Sequence, residues 1–214
     1  WTCDSEGFVQ FFDIRSGNAA PRWKRKLHEK KVNTVDVSPT QEHFFATCGL
    51  DRCIQLWDRR KIKTSASAQA SGGSLARLPL SRSVNSAFFN CNGEYLLATS
   101  MCNKLNLYRK PAQWAADNED PTYSISHDNQ TGRWLSVFHA SWHPTQPEVF
   151  TCGSMQQPRS VEIFHTGNKG RRIMNIQGEY LTSVYSRNIF HPTLDVIVGG
   201  NASGRCLVMR KREA

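Results

Sequence analysis

One short pattern recurs along this 214-residue chain. Thr2-Cys3, Thr47-Cys48 and Thr151-Cys152 each stand before a turn, and each turn leads into a strand that closes on an aromatic residue: Phe12-Asp13, Trp57-Asp58 and Phe164-His165. Tyr108 and Met209 end two further copies. The end positions 12, 57, 108, 164 and 209 are spaced by 45, 51, 56 and 45 residues. A repeated unit of this size cannot bury its own faces alone, so neighbouring units must stack on one another. The clearest copy reads as strands. Val32-Asn33-Thr34-Val35-Asp36-Val37 alternates, Pro39-Thr40-Gln41-Glu42 is a turn, and residues 43–48 and 53–57 are second and third strands. The turn positions Pro39, Cys91, Pro144 and Pro192 recur in step after Ser38, Asn90, His143 and His191.

A period of roughly 40–50 residues closing on Trp-Asp resembles the WD-repeat β-propeller. The expected fold is therefore all-β: a WD-repeat β-propeller, read as the C-terminal portion of a seven-bladed ring. About four to five blades fall at 1–31, 32–83, 84–136, 137–183 and 184–214. Trp1 is read as lying inside a strand that lacks its inner neighbour, and an open ring would expose two sheet edges. His28, Thr47, Asp51 and Trp57 match the hydrogen-bonded His, Ser/Thr, Asp and Trp set of such repeats. Buried polar groups need partners of this kind, so the four are read as scaffold and not as a catalytic triad.

Charge carries the first functional signal. The chain has a formal net charge of +9 and a sequence pI of about 9.4, which suggests an acidic partner. In a propeller, the link from an outer strand to the next inner strand opens on the same face as the turn between second and third strands. We call this face the top. Lys30, Lys31, Arg82 and Arg133 fall in or near the links, and Arg52, Lys104, Arg159 and Arg205 in the turns. The turns on the opposite face carry Glu42, Glu94, Glu148 and Asp195. The first unit departs, with Asp4 and Glu6 in its top turn. One-sided repetition of cations raises a nucleic-acid reading to stand beside the plain one of solvated loop charge.

Other chemistries find little support. Cys3, Cys48 and Cys152 share one repeat position, and Cys53 and Cys206 lie at or near third-strand starts, so these five read as packed strand residues and the seven cysteines as reduced, unpaired thiols of a cytosolic or nuclear protein. There is no Cys-x-x-Cys pair for zinc, and strand periodicity does not place His139 and His143 as a helical metal pair would be placed. There is no Gly-rich phosphate loop and no nucleophile motif. No signal peptide or membrane-spanning run is found. The reading is a non-enzymatic binding protein without cofactor or metal, away from membranes.

Two strand ends stand out on the bottom face. Phe12-Asp13-Ile14-Arg15 and Trp57-Asp58-Arg59-Arg60 place an arginine two residues after the acid in consecutive units. Arg offers a planar, permanently charged fork suited to carboxylates and carbonyls across an interface. The pattern resembles the docking box by which WD-repeat proteins bind the large, triple-propeller subunit of the damaged-DNA-binding complex, the adaptor of cullin-4 ubiquitin ligases. By that resemblance Asp13, Arg15, Asp58 and Arg60 are adaptor contacts.

The hairpin segment Ser126-His127-Asp128-Asn129-Gln130-Thr131-Gly132-Arg133-Trp134-Leu135 joins an outer strand to an inner strand expected at 137–142. It puts a glycine, a cation and a large planar ring together on the top face, which suits phosphate contact with base stacking or wedging. The alternative is that Trp134 packs beneath the loop. Thr131-Gly132-Arg133-Trp134-Leu135, Gly153-Ser154-Met155, Pro158-Arg159-Ser160-Val161-Glu162-Ile163-Phe164-His165, Gly178-Glu179-Tyr180-Leu181, His191-Pro192 and Gly199-Gly200-Asn201-Ala202-Ser203-Gly204 resemble the family of the small subunit of the UV-damaged-DNA-binding complex and its fungal damage-site-binding relatives. The resemblance implies a nuclear, DNA-damage-linked propeller that binds damaged or modified double-stranded DNA and docks to the cullin-4 adaptor. It also implies a branch linked to recognition of hydroxymethylated cytosine. In the small-subunit relative a Phe-Gln-His wedge occupies the place of Gly132, Arg133 and Trp134, so any wedge here rests on Trp134 alone. Arg82 falls where that relative also has a basic top-face residue. A different class of function is a protein-only scaffold whose top face grips an acidic or chromatin protein.

Overall fold

The computed structural model describes residues 1–17, 20–62, 73–109 and 120–210. Five antiparallel sheets follow one another along the chain, each paired in sequence order. The first holds β1 (Thr2–Cys3), β2 (Phe8–Phe11) and β3 (Trp23–Lys26). The second holds β4 (Val32–Val37), β5 (Phe44–Gly49), β6 (Cys53–Asp58) and β7 (Ser74–Pro79). The third holds β8 (Val84–Phe89), β9 (Tyr95–Ser100), β10 (Lys104–Arg109) and β11 (Tyr123–Ser126). The fourth holds β12 (Ser141–Trp142), β13 (Val149–Gly153), β14 (Val161–His165) and β15 (Arg171–Ile176). The fifth holds β16 (Arg187–Phe190), β17 (Val196–Gly200) and β18 (Cys206–Arg210). This is the expected all-β propeller architecture.

Burial follows the place of each strand in its sheet. The central strands β5 and β6 are buried on both faces, so Phe44-Phe45-Ala46-Thr47-Cys48-Gly49 runs without a polar break except Thr47. Outer strands β3 and β11 alternate half-buried and exposed residues, as strands with one covered face must. The core lies between consecutive sheets. Trp1, Val9, Phe45 and Trp57 join the first sheet to the second. Leu56, Leu78, Phe89 and Leu96 join the second to the third. Leu105, Phe138, Phe150 and Phe164 join the third to the fourth, and Val161, Tyr185 and Met209 the fourth to the fifth.

The fourth sheet corrects one expectation. Its inner strand does not pair over 137–142; the ladder is confined to Ser141–Trp142, with one bridge from His139 to Arg187. At His139 the preceding backbone turns to the fifth sheet, its N–H donating to the Ser186 carbonyl at 3.4 Å. Ala140 N–H donates to Thr99 Oγ1 at 3.0 Å, the bond that Ala87 also makes to Thr34 in full-length β8. Trp1 likewise stands just outside β1. A feature not foreseen is a register shift repeated at Asn33 in β4 and Asn85 in β8. Both follow a valine at the start of an inner strand, and the Asn33 amide donates across to the Val84 carbonyl at 2.7 Å.

Asp36 couples the second sheet to the third by accepting the Phe89 N–H at 2.7 Å. Burial pushes its carboxyl up to about 6, against two backbone hydrogen bonds that pull it down. A folded-state value above the unfolded one means that the contribution to stability is complete at acid pH and declines as pH rises through about 6. The decline is on the order of 3 kcal/mol. Asp36→Asn keeps an acceptor for Phe89 and is expected to stabilise the fold at neutral pH while flattening the profile. Urea midpoints for both chains at about pH 4.5 and 7.5 check this; parallel profiles would contradict it.

Candidate nucleic-acid interface and the opposite docking rim

Hydrogen bonds between links and turns gather the predicted cations on one face. Leu50 N–H donates to the Lys31 carbonyl at 3.0 Å, tying the β5–β6 turn to the β3–β4 link. Leu80 N–H donates to the Arg52 carbonyl at 2.7 Å, Met101 to Ser83 at 2.9 Å and His127 to Asn103 at 3.1 Å, so the same stitch recurs between later links and turns. In the last sheet Asn201 Nδ2 reaches Ser183 Oγ at 2.8 Å. The glycine that follows Thr47-Cys48 and Thr151-Cys152 permits this close passage, whereas Asp4 follows Thr2-Cys3. A Cβ on Gly49 would lie 2.4 Å from the Lys31 carbonyl oxygen, and one on Gly153 would lie 1.9 Å from that of Tyr185.

Lys30, Lys31, Arg52, Arg82, Lys104, Arg133 and Arg205 are exposed on this face. Arg52 holds a left-handed backbone at φ 64°, and Asn103 takes the matching turn position at φ 60°. Asn tolerates that conformation readily, whereas for Arg it costs on the order of 1 kcal/mol, a strain consistent with use at a site. Arg159 differs from the rest. It is half-buried, and its Nη1 donates to the Met155 carbonyl, so it braces the β13–β14 turn and is less accessible than its sequence position suggests.

The segment from Ser126 to Leu135 is not a paired hairpin but a looped link in two parts. Its first part is a pedestal. Asn129 is fully buried and its Nδ2 donates to the carbonyls of Ser100 at 2.8 Å and Lys104 at 3.2 Å. Its Oδ1 faces His127 Nδ1 at 2.7 Å, so that nitrogen carries the hydrogen. Gln130 Nε2 adds bonds to the Met101 carbonyl at 2.7 Å and Asn103 Oδ1 at 2.9 Å. Beyond Thr131 the chain turns at Gly132, left-handed at φ 64°, into open space. Trp134 is 83% exposed, with the Arg133 guanidinium 5.6 Å from its ring centre. The ring therefore does not pack beneath the loop. Asn103, Asn129 and Gln130, which fix the pedestal, carry no sequence signal beyond turn-forming residue types.

On the opposite face the two Asp-x-Arg ends fold alike. Asp13 Oδ1 accepts Arg15 N–H at 3.1 Å and Arg15 Nε at 3.3 Å. Asp58 Oδ1 accepts Arg60 N–H at 2.9 Å and Arg60 Nε at 3.0 Å, while Oδ2 takes Arg60 Nη2 at 2.8 Å. The Arg60 side-chain hydrogen bonds hold the Asp58 carboxyl down at about 2. At Asp13 the second oxygen is taken by Arg22 Nη1 at 2.8 Å, a partner nine residues away that the motif does not reveal. Arg59 lies 5.1 Å from the Phe11 ring centre and links the two ends. In the fourth sheet His165 Nδ1 accepts Gly167 N–H at 3.1 Å in place of such an Asp, and Gly167 stands where the arginine would be.

The scaffold set forms as expected. His28 Nε2 meets Thr47 Oγ1 at 2.7 Å, His28 Nδ1 meets Asp51 Oδ2 at 2.7 Å, and Trp57 Nε1 donates to Thr47 Oγ1 at 2.8 Å. Cys53 also approaches His28 and Asp51, within 4.8 Å. Burial pushes its thiol up to about 12, so it stays protonated, and both imidazole nitrogens are already engaged. This donor set does not suit a metal. The fourth sheet rebuilds the set: Phe164 replaces the indole donor, Thr151 turns its hydroxyl to the Glu162 carbonyl at 3.0 Å, and buried Glu162 pairs with Arg172 at 2.5 Å.

A family model described as WD domain, G-beta repeat, matches residues 21–58. WD repeat-containing protein 76 of Mus musculus is 34% identical over 86% of this chain and 28% of its own length. The DNA damage-binding protein CMR1 of Phaeosphaeria nodorum is 34% identical over 86% of this chain and 37% of its own length. The chain thus spans between about a quarter and two fifths of these curated relatives. A chain in the crystal structure of a mitotic checkpoint complex superposes with a TM-score of 0.69 over 92% of this chain and 52% of its own, at 15% identity, a likeness of fold alone.

Proposed function

This chain belongs to the WD-repeat β-propeller family, and from that premise we propose that it binds double-stranded DNA, damaged or modified, on the top face and a ubiquitin-ligase adaptor on the bottom rim. The setting is the nuclear DNA-damage response, with the protein serving as a substrate receptor of a cullin-4 ligase through the triple-propeller subunit. It acts by binding and not by catalysis. The observation that carries the reading is the ring of exposed cations, Lys30, Lys31, Arg52, Arg82, Lys104, Arg133 and Arg205, around a solvent-facing Trp134. Relatives named DNA damage-binding protein add support. Arg133 and Lys104 would neutralise phosphate, and the ring of Trp134 would stack on or wedge between bases.

Substitution should separate the two contributions. Arg82→Ala with Lys104→Ala is expected to weaken every duplex alike and to reduce the salt slope by about one unit for each phosphate no longer neutralised. Arg159→Ala should add little to this, because Arg159 is committed to the Met155 carbonyl. Trp134→Ala is expected to cost about 1–3 kcal/mol, with the larger loss on lesion-containing duplex, where a base is already easier to unstack. Binding is measured on intact and damaged duplex at two salt concentrations. Equal losses on both would leave a general DNA binder. Affinity for naked duplex that ignores salt would instead favour a scaffold for acidic or chromatin proteins.

A further inference from the structure

The outer strands place matching residues on the side wall of the propeller. Lys24 lies opposite Gln10, Arg77 opposite Gln55, Ser124 opposite Asn106 and Asn175 opposite Glu162. One step nearer the top, Lys26 lies opposite Phe8, Pro79 opposite Cys53 and Ser126 opposite Lys104. All of these outer residues are exposed. In the second, third and fourth sheets they stay exposed although another sheet is stacked before each one. Exposure therefore belongs to the position within a blade and not to the place of the first sheet in the chain.

The chemistry at these positions differs. β3 alone supplies two lysines. The Lys24 ammonium sits 4.7 Å from the Phe8 ring centre. Among the described residues neither Lys24 nor Lys26 has a carboxylate within ion-pair distance. Arg22, the next in step toward the bottom, is held by Asp13 at 2.8 Å. β3 runs toward the top face, because the link that follows it carries Lys30 and Lys31. A rise of about 3.3 Å per residue separates Lys24 from Lys26 by roughly 7 Å. Four cations thus form one line, two up the side wall and two at the rim.

We infer that β3 is a second phosphate-binding surface, over which double-stranded DNA held on the top face continues down the side wall. This rests on the DNA reading above. The line suits a polyanion better than an acidic protein. Protein interfaces are built around desolvated aromatic and apolar anchors. Here the intervening Trp23 is half-buried among Trp1 and Phe45, and Leu27 is buried, so neither is offered to a partner. A phosphate backbone needs only cations in a row, continuous with those already in contact.

The test uses the whole protein with Lys24→Gln and Lys26→Gln, a short duplex that the top face alone covers, and a long duplex. For the long duplex the slope of log affinity against log salt should fall by about 1.8, at 0.9 per phosphate contact, with the short duplex unaffected. Lys24→Arg with Lys26→Arg should restore the slope. Arg82→Ala serves as a control and should weaken both duplexes. If the glutamine variant leaves both duplexes unchanged while Arg82→Ala weakens them, the side-wall surface is rejected and the top-face reading stands. If Arg82→Ala weakens neither, the top-face reading fails first. Loss of an acidic protein partner with both duplexes unaffected would also overturn the inference and assign the line to protein.

Discussion

Replacing Arg15 and Arg60 together by alanine is expected to abolish docking of the ligase adaptor and to leave DNA binding intact. A hot-spot arginine costs about 2 kcal/mol or more on truncation, so two of them amount to roughly a thousandfold in affinity. Their setting supports such a role. Each guanidinium is oriented by an Asp two residues earlier, which fixes the direction of the fork before a partner arrives. The preorganisation is unequal. Arg60 is clamped at both oxygens of Asp58, whereas Arg15 holds Asp13 through Nε alone and its side chain is 88% exposed. Arg22 supplies the second contact at Asp13. Lysine at position 60 would keep the charge but lose the two-point clamp, so Arg60→Lys should recover little. The top face should not feel these changes, because the cations lie at the opposite ends of the strands. Capture of the triple-propeller adaptor and affinity for duplex, measured side by side, decide the matter. Undiminished capture by the double variant would reject the docking reading.

His28→Ala is expected to be among the most damaging single substitutions to stability, at about 3 kcal/mol, because it takes from a carboxylate and a buried hydroxyl the hydrogen-bond partner they share. The imidazole is fully buried between Asp51 and Thr47. Burial pushes the Asp51 carboxyl up, but the hydrogen bond and charge of His28 outweigh it and hold the carboxyl below its ordinary value. Without His28 that carboxylate keeps only the weaker Cys53 thiol, and Thr47 keeps the Trp57 indole. The third sheet folds with Tyr108 at the Trp57 position, so the set is not a condition for a blade to form. Its effect is local as well as global, since His28 lies in the link that carries Lys30 and Lys31. Urea unfolding of the variant should show the midpoint shift, and its duplex affinity should fall through displacement of that link. A destabilisation below about 1 kcal/mol would show that the set is passive.

Local sequence determined much of this molecule. The spacing of Thr-Cys pairs and aromatic ends follows from sheets that must stack, and unbroken apolar runs mark the strands buried on both faces. The His28, Thr47, Asp51 and Trp57 set was legible because each member has a repeat position and a single kind of partner. The two Asp-x-Arg turns are also local: two residues' separation is enough to bring backbone and side chain to one carboxylate. Which residues bear charge on the top face follows from strand order alone.

Tertiary structure decided what depends on residues far apart in the chain. Inner strand β12 is short where the His139 N–H turns to the Ser186 carbonyl beside the fifth sheet, and no local pattern records that competition. Arg159 looks like its neighbours in the cation ring until the Met155 carbonyl is seen to hold it. Arg22 joins the Asp13 carboxylate on the bottom rim only because β3 returns beside it. Whether Trp134 faces solvent could not be read from Gly132-Arg133-Trp134, since a tryptophan at a loop tip gains by packing wherever a surface is within reach. Asn129 decides the question. By bonding the carbonyls of Ser100 and Lys104 it fixes the first part of the link on the β9–β10 turn, and the tip beyond Gly132 has nothing beneath it.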